Sequence, residues 1–175
     1  MVKAILEFIL ENHADDFFWN QMAFLIVLLL FTFSRSECPC PKAFTGRECY
    51  DKAEHFNVGD FDIRHVGGRR ALFVRFRAIK QDKRVERPEA AGDGDWAVLG
   101  EIPGSHFCPI MWFLRLQRFY GHRPDKRGPF FLDPDGVRPL IYGKALDAFH
   151  DLQRAVNVSA DELCLLYTSP SPRDS

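Results

Sequence analysis

The sequence predicts an α+β fold, mostly helical, with its helices segregated from a small three-stranded antiparallel sheet. Three observations lead there. Met22–Phe33 is apolar except for Thr32, the pattern of a helix buried on all sides. Gly67-Gly68 stands between two strand-like stretches, a two-residue hairpin signal. Pro109–Tyr120 and Ile141–Val156 carry apolar residues at helical spacing. At 175 residues, 46% hydrophobic and 27% charged, the chain has the composition of a globular domain with a core of its own.

Taken in order, Val2–Asn12 predicts an amphipathic helix with Ile5, Phe8 and Ile9 on one face. The apolar stretch Phe17–Glu37 follows. Its core, Met22–Phe33, has twelve residues, well short of the roughly 20 of a membrane span. Acidic residues (Glu7, Glu11, Asp15, Asp16) precede it, where a secretory signal would be basic. We therefore expect a buried helix, with Asp15 and Asp16 at its positive end and Arg35 leaving its negative end. Cys38–Gly46 breaks regularity through two prolines and a glycine.

Phe56–Val66 predicts the first strand and Arg69–Lys80 the return strand. In the latter, Leu72, Val74, Phe76 and Ala78 form an apolar face, and Phe73, Arg75, Arg77 and Ile79 a mixed one. Gln81–Asp95 is a polar loop and Trp96–Ile102 a third strand. Pro109 opens a helix from its first turn. On that helix Met111, Leu114 and Phe119 are expected on one side, Arg115 and Arg118 on another. Asp133-Pro134-Asp135-Gly136 is a turn between Phe130–Leu132 and Val137–Leu140. Leu146, Phe149, Leu152 and Val156 mark the buried face of the last helix.

Five cysteines at irregular spacing predict free thiols in a reducing compartment. Cys38-Pro39-Cys40 with Cys49 lacks the matching histidine pair of a zinc site, so no metal is expected. The net charge of −1 conceals an uneven distribution, because Arg64–Arg87 is strongly basic. Arg69, Arg70, Arg75, Arg77, Lys83, Arg84 and Arg87 cluster along the hairpin, and Arg115, Arg118, Arg123, Lys126 and Arg127 form a second group. Cations of this kind make phosphate contacts with DNA. Interleaved Asp82, Glu86 and Glu89 allow a solubilising surface as the alternative.

The final residues, CLLYTSPSPRDS, resemble a translated sequencing adapter: the transposase mosaic end and its extension encode all of them but the last serine. Residues 164–175 are accordingly expected to be an artefactual, disordered tail, and Leu163 to be the last natural residue.

Three segments together resemble the N-terminal half of the catalytic domain of a tyrosine recombinase (phage-integrase-like) of the kind carried by eukaryotic mobile elements. They are the apolar helix ending in FTFSRSECPCP, the hairpin ALFVRFRAIKQDKRVERPE, and FCPIMWFLRLQRFYGHRP with GPFFLDPDGVRPLIYGKALDAF. The resemblance spans roughly Phe17–Leu163, within a partial domain expected to occupy 1–163. It implies metal-free cleavage and rejoining of DNA strands through a 3′-phosphotyrosyl link, with no cofactor. Arg35 matches the first catalytic arginine, whose planar guanidinium holds two phosphate oxygens. The family's β2–β3 region carries a lysine that protonates the leaving 5′-oxygen. Lys80 matches it best and Lys83 is the alternative, with Arg75, Arg77, Lys83, Arg84 and Arg87 as DNA-binding residues.

The family's second half supplies a His-x-x-Arg box, a further His or Trp, and the nucleophilic tyrosine. None is found here: His55, His106, His122 and His150 are not followed by such an arginine, and Tyr142 matches a Pro-Leu-Thr-Tyr core position. The chain as given is therefore expected to be inactive. The resemblance implies DNA as partner, a tetramer on DNA only for the full-length enzyme, and a nuclear location in a eukaryote or otherwise a cytoplasmic one, without secretion. The alternatives are a non-catalytic DNA-binding relic of a mobile element, and a membrane-anchored protein using Met22–Phe33.

Overall fold

A computed structural model of the chain describes residues 1–32, 39–46, 49–76, 95–120 and 128–156. Among them are four α-helices and a three-stranded antiparallel sheet of order β1-β2-β3, the α+β class expected from the sequence. The elements are α1 (Val2–Asn12), α2 (Phe17–Thr32), β1 (Phe61–Val66), β2 (Arg69–Phe76), β3 (Asp95–Gly100), α3 (Pro109–Tyr120) and α4 (Tyr142–Ala155).

The core is built around α2. Asp16 stands just before this helix and accepts a hydrogen bond from the Trp19 amide (3.2 Å) through its side chain, capping the first turn. Every residue from Asn20 to Leu28 is buried. Sixteen residues at helical rise span about 24 Å, short of a bilayer's hydrocarbon core. No helix of the described residues is long and apolar enough to cross a membrane. Phe24 lies at the centre, its ring 5.6–6.2 Å from the rings of Phe61 on β1, Phe113 on α3, and Phe130 and Phe131 of the returning segment. Phe61 and Phe130 meet at 4.1 Å. Edge and offset contacts of this sort add to the area each ring buries.

Two buried polar side chains in this apolar helix are hydrogen-bonded to other elements. The Gln21 amide donates to the Leu132 carbonyl (2.6 Å), and its oxygen accepts from the Leu132 amide (2.7 Å), with the Tyr120 hydroxyl 3.2 Å away. Asn20 donates to the carbonyls of His13, Ala14 and Asp16, and accepts from Arg115 Nε at 2.8 Å. One turn of α2 thus ties down the α1–α2 corner, α3 and the strand-like segment at 130–132.

Several sequence expectations are corrected in detail. Residues 56–60 do not belong to β1. Asn57 and Asp60 form a reciprocal capping box around the 3-10 turn Val58–Asp60, with the Asn57 amide donating to Asp60 Oδ2 (2.8 Å), so the strand starts at Phe61. β3 ends at Gly100 rather than Ile102, because the chain turns at Gly104, whose φ is +72°. On α1 the buried set is Ile5, Leu6 and Ile9, and Phe8 is half-buried. On α3 it is Ile110, Trp112, Phe113 and Leu116 that face the core, while Met111 and Leu114 are half-buried and Phe119 is exposed. On α4, Phe149 and Leu152 are buried as expected, but Leu146 and Val156 are half-buried, and Ala145 and Ala148 complete the face. The tail 164–175 lies outside the described residues.

Replacing Gln21 with leucine keeps its bulk and leaves the buried Leu132 amide and carbonyl without their side-chain partners. A loss of about 2–5 kcal/mol in unfolding free energy is expected, measured by denaturant titration. A loss below about 0.5 kcal/mol would show that this clamp does not matter to the fold.

Candidate nucleic-acid interface

The hairpin sets the geometry of the sheet's outer face. Gly67 and Gly68 both adopt positive φ (+58° and +79°), a conformation that costs other residues energy and that matches the twist of a two-residue turn. The turn fixes the register: Asp62 opposite Phe73 and Arg64 opposite Ala71. On the other side of β2, Phe73 pairs with Val98 and Arg75 with Trp96. Side chains alternate between faces, so Phe61, Leu72, Val74 and Leu99 turn inward and are buried. Asp62, Arg64, Phe73, Arg75, Trp96 and Val98 share the opposite face.

On this outer face the Arg64 guanidinium lies 4.6 Å from the centre of the Phe73 ring and 5.4 Å from that of Trp96. The Arg75 guanidinium is 5.9 Å from Trp96. The two rings meet edge-on, 6.4 Å apart at 66°. These are cation–π distances, and each cation is attracted to the negative face of a ring. Arg64 Nε also donates to Asp62 Oδ2 (2.8 Å). Val66 and Val98 add exposed apolar surface, at 54% and 52%. The face thus carries two aromatic rings and two guanidinium groups, one of them paired with the Asp62 carboxylate.

Of the site residues expected from the sequence, Arg75 lies on this face. Arg35, Lys80, Arg77, Lys83, Arg84 and Arg87 lie outside the described residues, as do Cys38, Arg123, Lys126 and Arg127. Two other basic residues turn out to serve the fold. Arg70 forms a two-pronged ion pair with Glu101 at the end of the β2–β3 ladder. Arg115 donates to Asn20 and to the Ala14 carbonyl (2.8 Å each), so it ties α3 to the α1–α2 corner. Arg64, Phe73 and Trp96 were not singled out by sequence reasoning as site residues. The alternation in β2 puts Phe73 beside Arg75, but Trp96 joins them only through strand pairing across the sequence-distant β3.

The tyrosines in the described regions are engaged in packing. Tyr120 donates to the Phe130 carbonyl (2.6 Å) and Tyr50 to Asn57 Oδ1 (2.6 Å), while Tyr142 lines a small apolar cavity between α2 and α4. Cys40, Cys49 and Cys108 are free thiols, and burial pushes the Cys40 thiol well above its ordinary range. Among the described residues no cluster of histidine, cysteine and carboxylate side chains is arranged to hold a metal ion.

Comparison with known proteins found no matching family, no matching characterised protein and no matching solved structure.

The Arg70–Glu101 pair gives a pH prediction. The hydrogen bond from Arg70, and then its charge, hold the Glu101 carboxyl below the ordinary glutamate range. Folding lowers this pKa, so the stability Glu101 contributes is complete above about pH 4.3, the unfolded value, and is lost as the pH falls through the folded value. Between about pH 6 and pH 3 the native chain should therefore lose more stability than Glu101→Gln. Parallel pH–stability curves for the two proteins would show that the pair contributes nothing.

Proposed function

We propose that the chain is part of a tyrosine-recombinase-type DNA strand-exchange enzyme, the N-terminal half of its catalytic domain. The observation that most supports this reading is the order of elements. An apolar helix precedes a three-stranded antiparallel sheet, and residues 77–94, which include Lys80 and Lys83, connect its second strand to its third. The resemblance calls for a catalytic lysine in that connection. Arg35 follows the end of α2 by three residues, and α2 is the most buried helix described, a rigid base for a phosphate-binding arginine.

In this reading Arg35 neutralises charge on the non-bridging oxygens of the scissile phosphate during transfer. Lys80, or Lys83, protonates the departing 5′-oxygen. Arg75, Arg77, Arg84 and Arg87 hold the DNA backbone by charge. The reading calls for a nucleophilic tyrosine and a second arginine that residues 1–163 do not supply, so the chain as given is expected not to cleave DNA.

A genomic read through codon 163 is the first test. A frame continuing into His-x-x-Arg and then a tyrosine supports the proposal, and a frame without them contradicts it. In the extended protein, Arg35→Ala and Lys80→Ala should each reduce covalent attachment to DNA by about a hundredfold or more. With Lys80→Ala active and Lys83→Ala inactive, the lysine role would move to Lys83.

DNA binding is tested on the chain itself. Its affinity for duplex DNA should fall steeply with salt. Replacing Arg77, Lys83, Arg84 and Arg87 with glutamine should reduce the log–log salt slope by about one for each phosphate that the side chain would otherwise neutralise. An unchanged slope would remove these residues from the interface.

A further inference from the structure

The outer face of the sheet carries more than charge, and an intact duplex makes little use of what it adds. Aromatic rings on an open strand surface can stack on a nucleobase, but only on a base whose own face is free. In a duplex the base faces are already stacked on their neighbours. Trp96 is the ring available here: it is 37% exposed, on the sheet's third strand. Phe73 is half-buried and the Arg64 guanidinium lies 4.6 Å over its ring, nearer than the 5.4 and 5.9 Å at which Arg64 and Arg75 lie over the exposed indole, so it props the indole edge-on rather than offering a second platform. Arg64 and Arg75, from β1 and β2, bring cations within 6 Å of the indole. A base on Trp96 would have its flanking phosphates within reach of both.

We infer that the outer sheet face, centred on Trp96 between Arg64 and Arg75, is a docking site for an unpaired base of a single nucleic-acid strand. The complementarity is twofold: positive guanidinium groups for phosphate, and an indole plane for a base. An acidic protein partner would use the charge and leave the ring idle. Asp62 opposes the strand, because its carboxylate is hydrogen-bonded to Arg64 and would repel an incoming phosphate. Arg64 is thereby held in place over the rings until a phosphate competes for it. The inference goes beyond the duplex contact proposed above and does not depend on the recombinase reading, since it uses only residues of the sheet.

The test measures binding of fluorescent oligothymidine of about 12 nucleotides, and of a duplex of the same length, to the full 175-residue chain at one salt concentration. The single strand should bind about tenfold tighter than the duplex. Trp96→Ala should weaken single-strand binding by about tenfold with little change in duplex binding, and Trp96→Phe, which keeps a ring, should restore most of the loss. Asp62→Asn, an exposed change that removes the competing carboxylate, should tighten single-strand binding. Equal or tighter binding of the duplex would overturn the inference. So would Trp96→Ala binding oligothymidine as the native chain does, or an acidic peptide displacing the oligonucleotide equally well from Trp96→Ala and native protein. Circular dichroism of each variant separates loss of binding from loss of fold.

Discussion

The structure depends on the ring of Phe24. It is fully buried and meets phenylalanines from β1, α3 and the 130–131 segment, so that helix, sheet and return segment share one aromatic centre. The other phenylalanines extend the cluster: Phe56 reaches Phe61 and Phe76, and Phe113 stacks on Phe130 at 14°. Rings at this density leave few alternative packings, because interiors are close-packed and a shifted ring must displace its neighbours. Apolarity all around α2 is a requirement of that arrangement: α1, α3, α4 and the sheet side of the core occupy different sides of it.

Hydrophobic burial alone does not fix how those elements sit around α2, since it has no direction. Asn20 and Gln21 supply the direction. They are buried one turn before Phe24, and between them bind three carbonyls at the α1–α2 corner, the Arg115 side chain, Tyr120 and both backbone groups of Leu132. Each of these bonds, if unmade, would leave a buried polar group with a cost well above its net contribution when made. The same logic governs Asp133, which is buried in its turn and held by Lys144 at 2.7 Å and Arg138 at 3.3 Å. Among the described residues, Arg70, Arg115 and Lys144 tie elements together, while Arg64 and Arg75 lie on the sheet's outer face.

Much of the fold was legible in the sequence where the signal is local. Pro109 fixes the start of α3, Gly67-Gly68 fixes the hairpin, and the bounds of α1 follow from its periodicity. What was not legible depended on distant partners. Asn57 and Asp60 continue an apparent strand pattern, but their mutual capping ends it. The inward face of α3 differs from the expected one because Trp112 and Phe113 are adjacent, and only packing against α2 selects Ile110, Trp112, Phe113 and Leu116. Arg115 looks like a surface cation until Asn20, far away in sequence, is brought beside it. On the sheet's outer face, the alternation of β2 put Phe73 beside Arg75 without marking it as a site residue, whereas Arg64 and Trp96 joined them only through the register of both strand pairs.

A sheet face can present rings and guanidinium groups at fixed spacing only if its other face is firmly packed, and that packing runs through Phe61 to Phe24. The most direct measurement of this dependence is native-state hydrogen exchange along the chain. The amides of Ala23–Leu28 should exchange only through global unfolding and be among the slowest in the molecule, with β2 in the same class. If α2 instead exchanged through a low-energy local opening while the sheet stayed protected, the helix would not be what the rest of the structure is built upon.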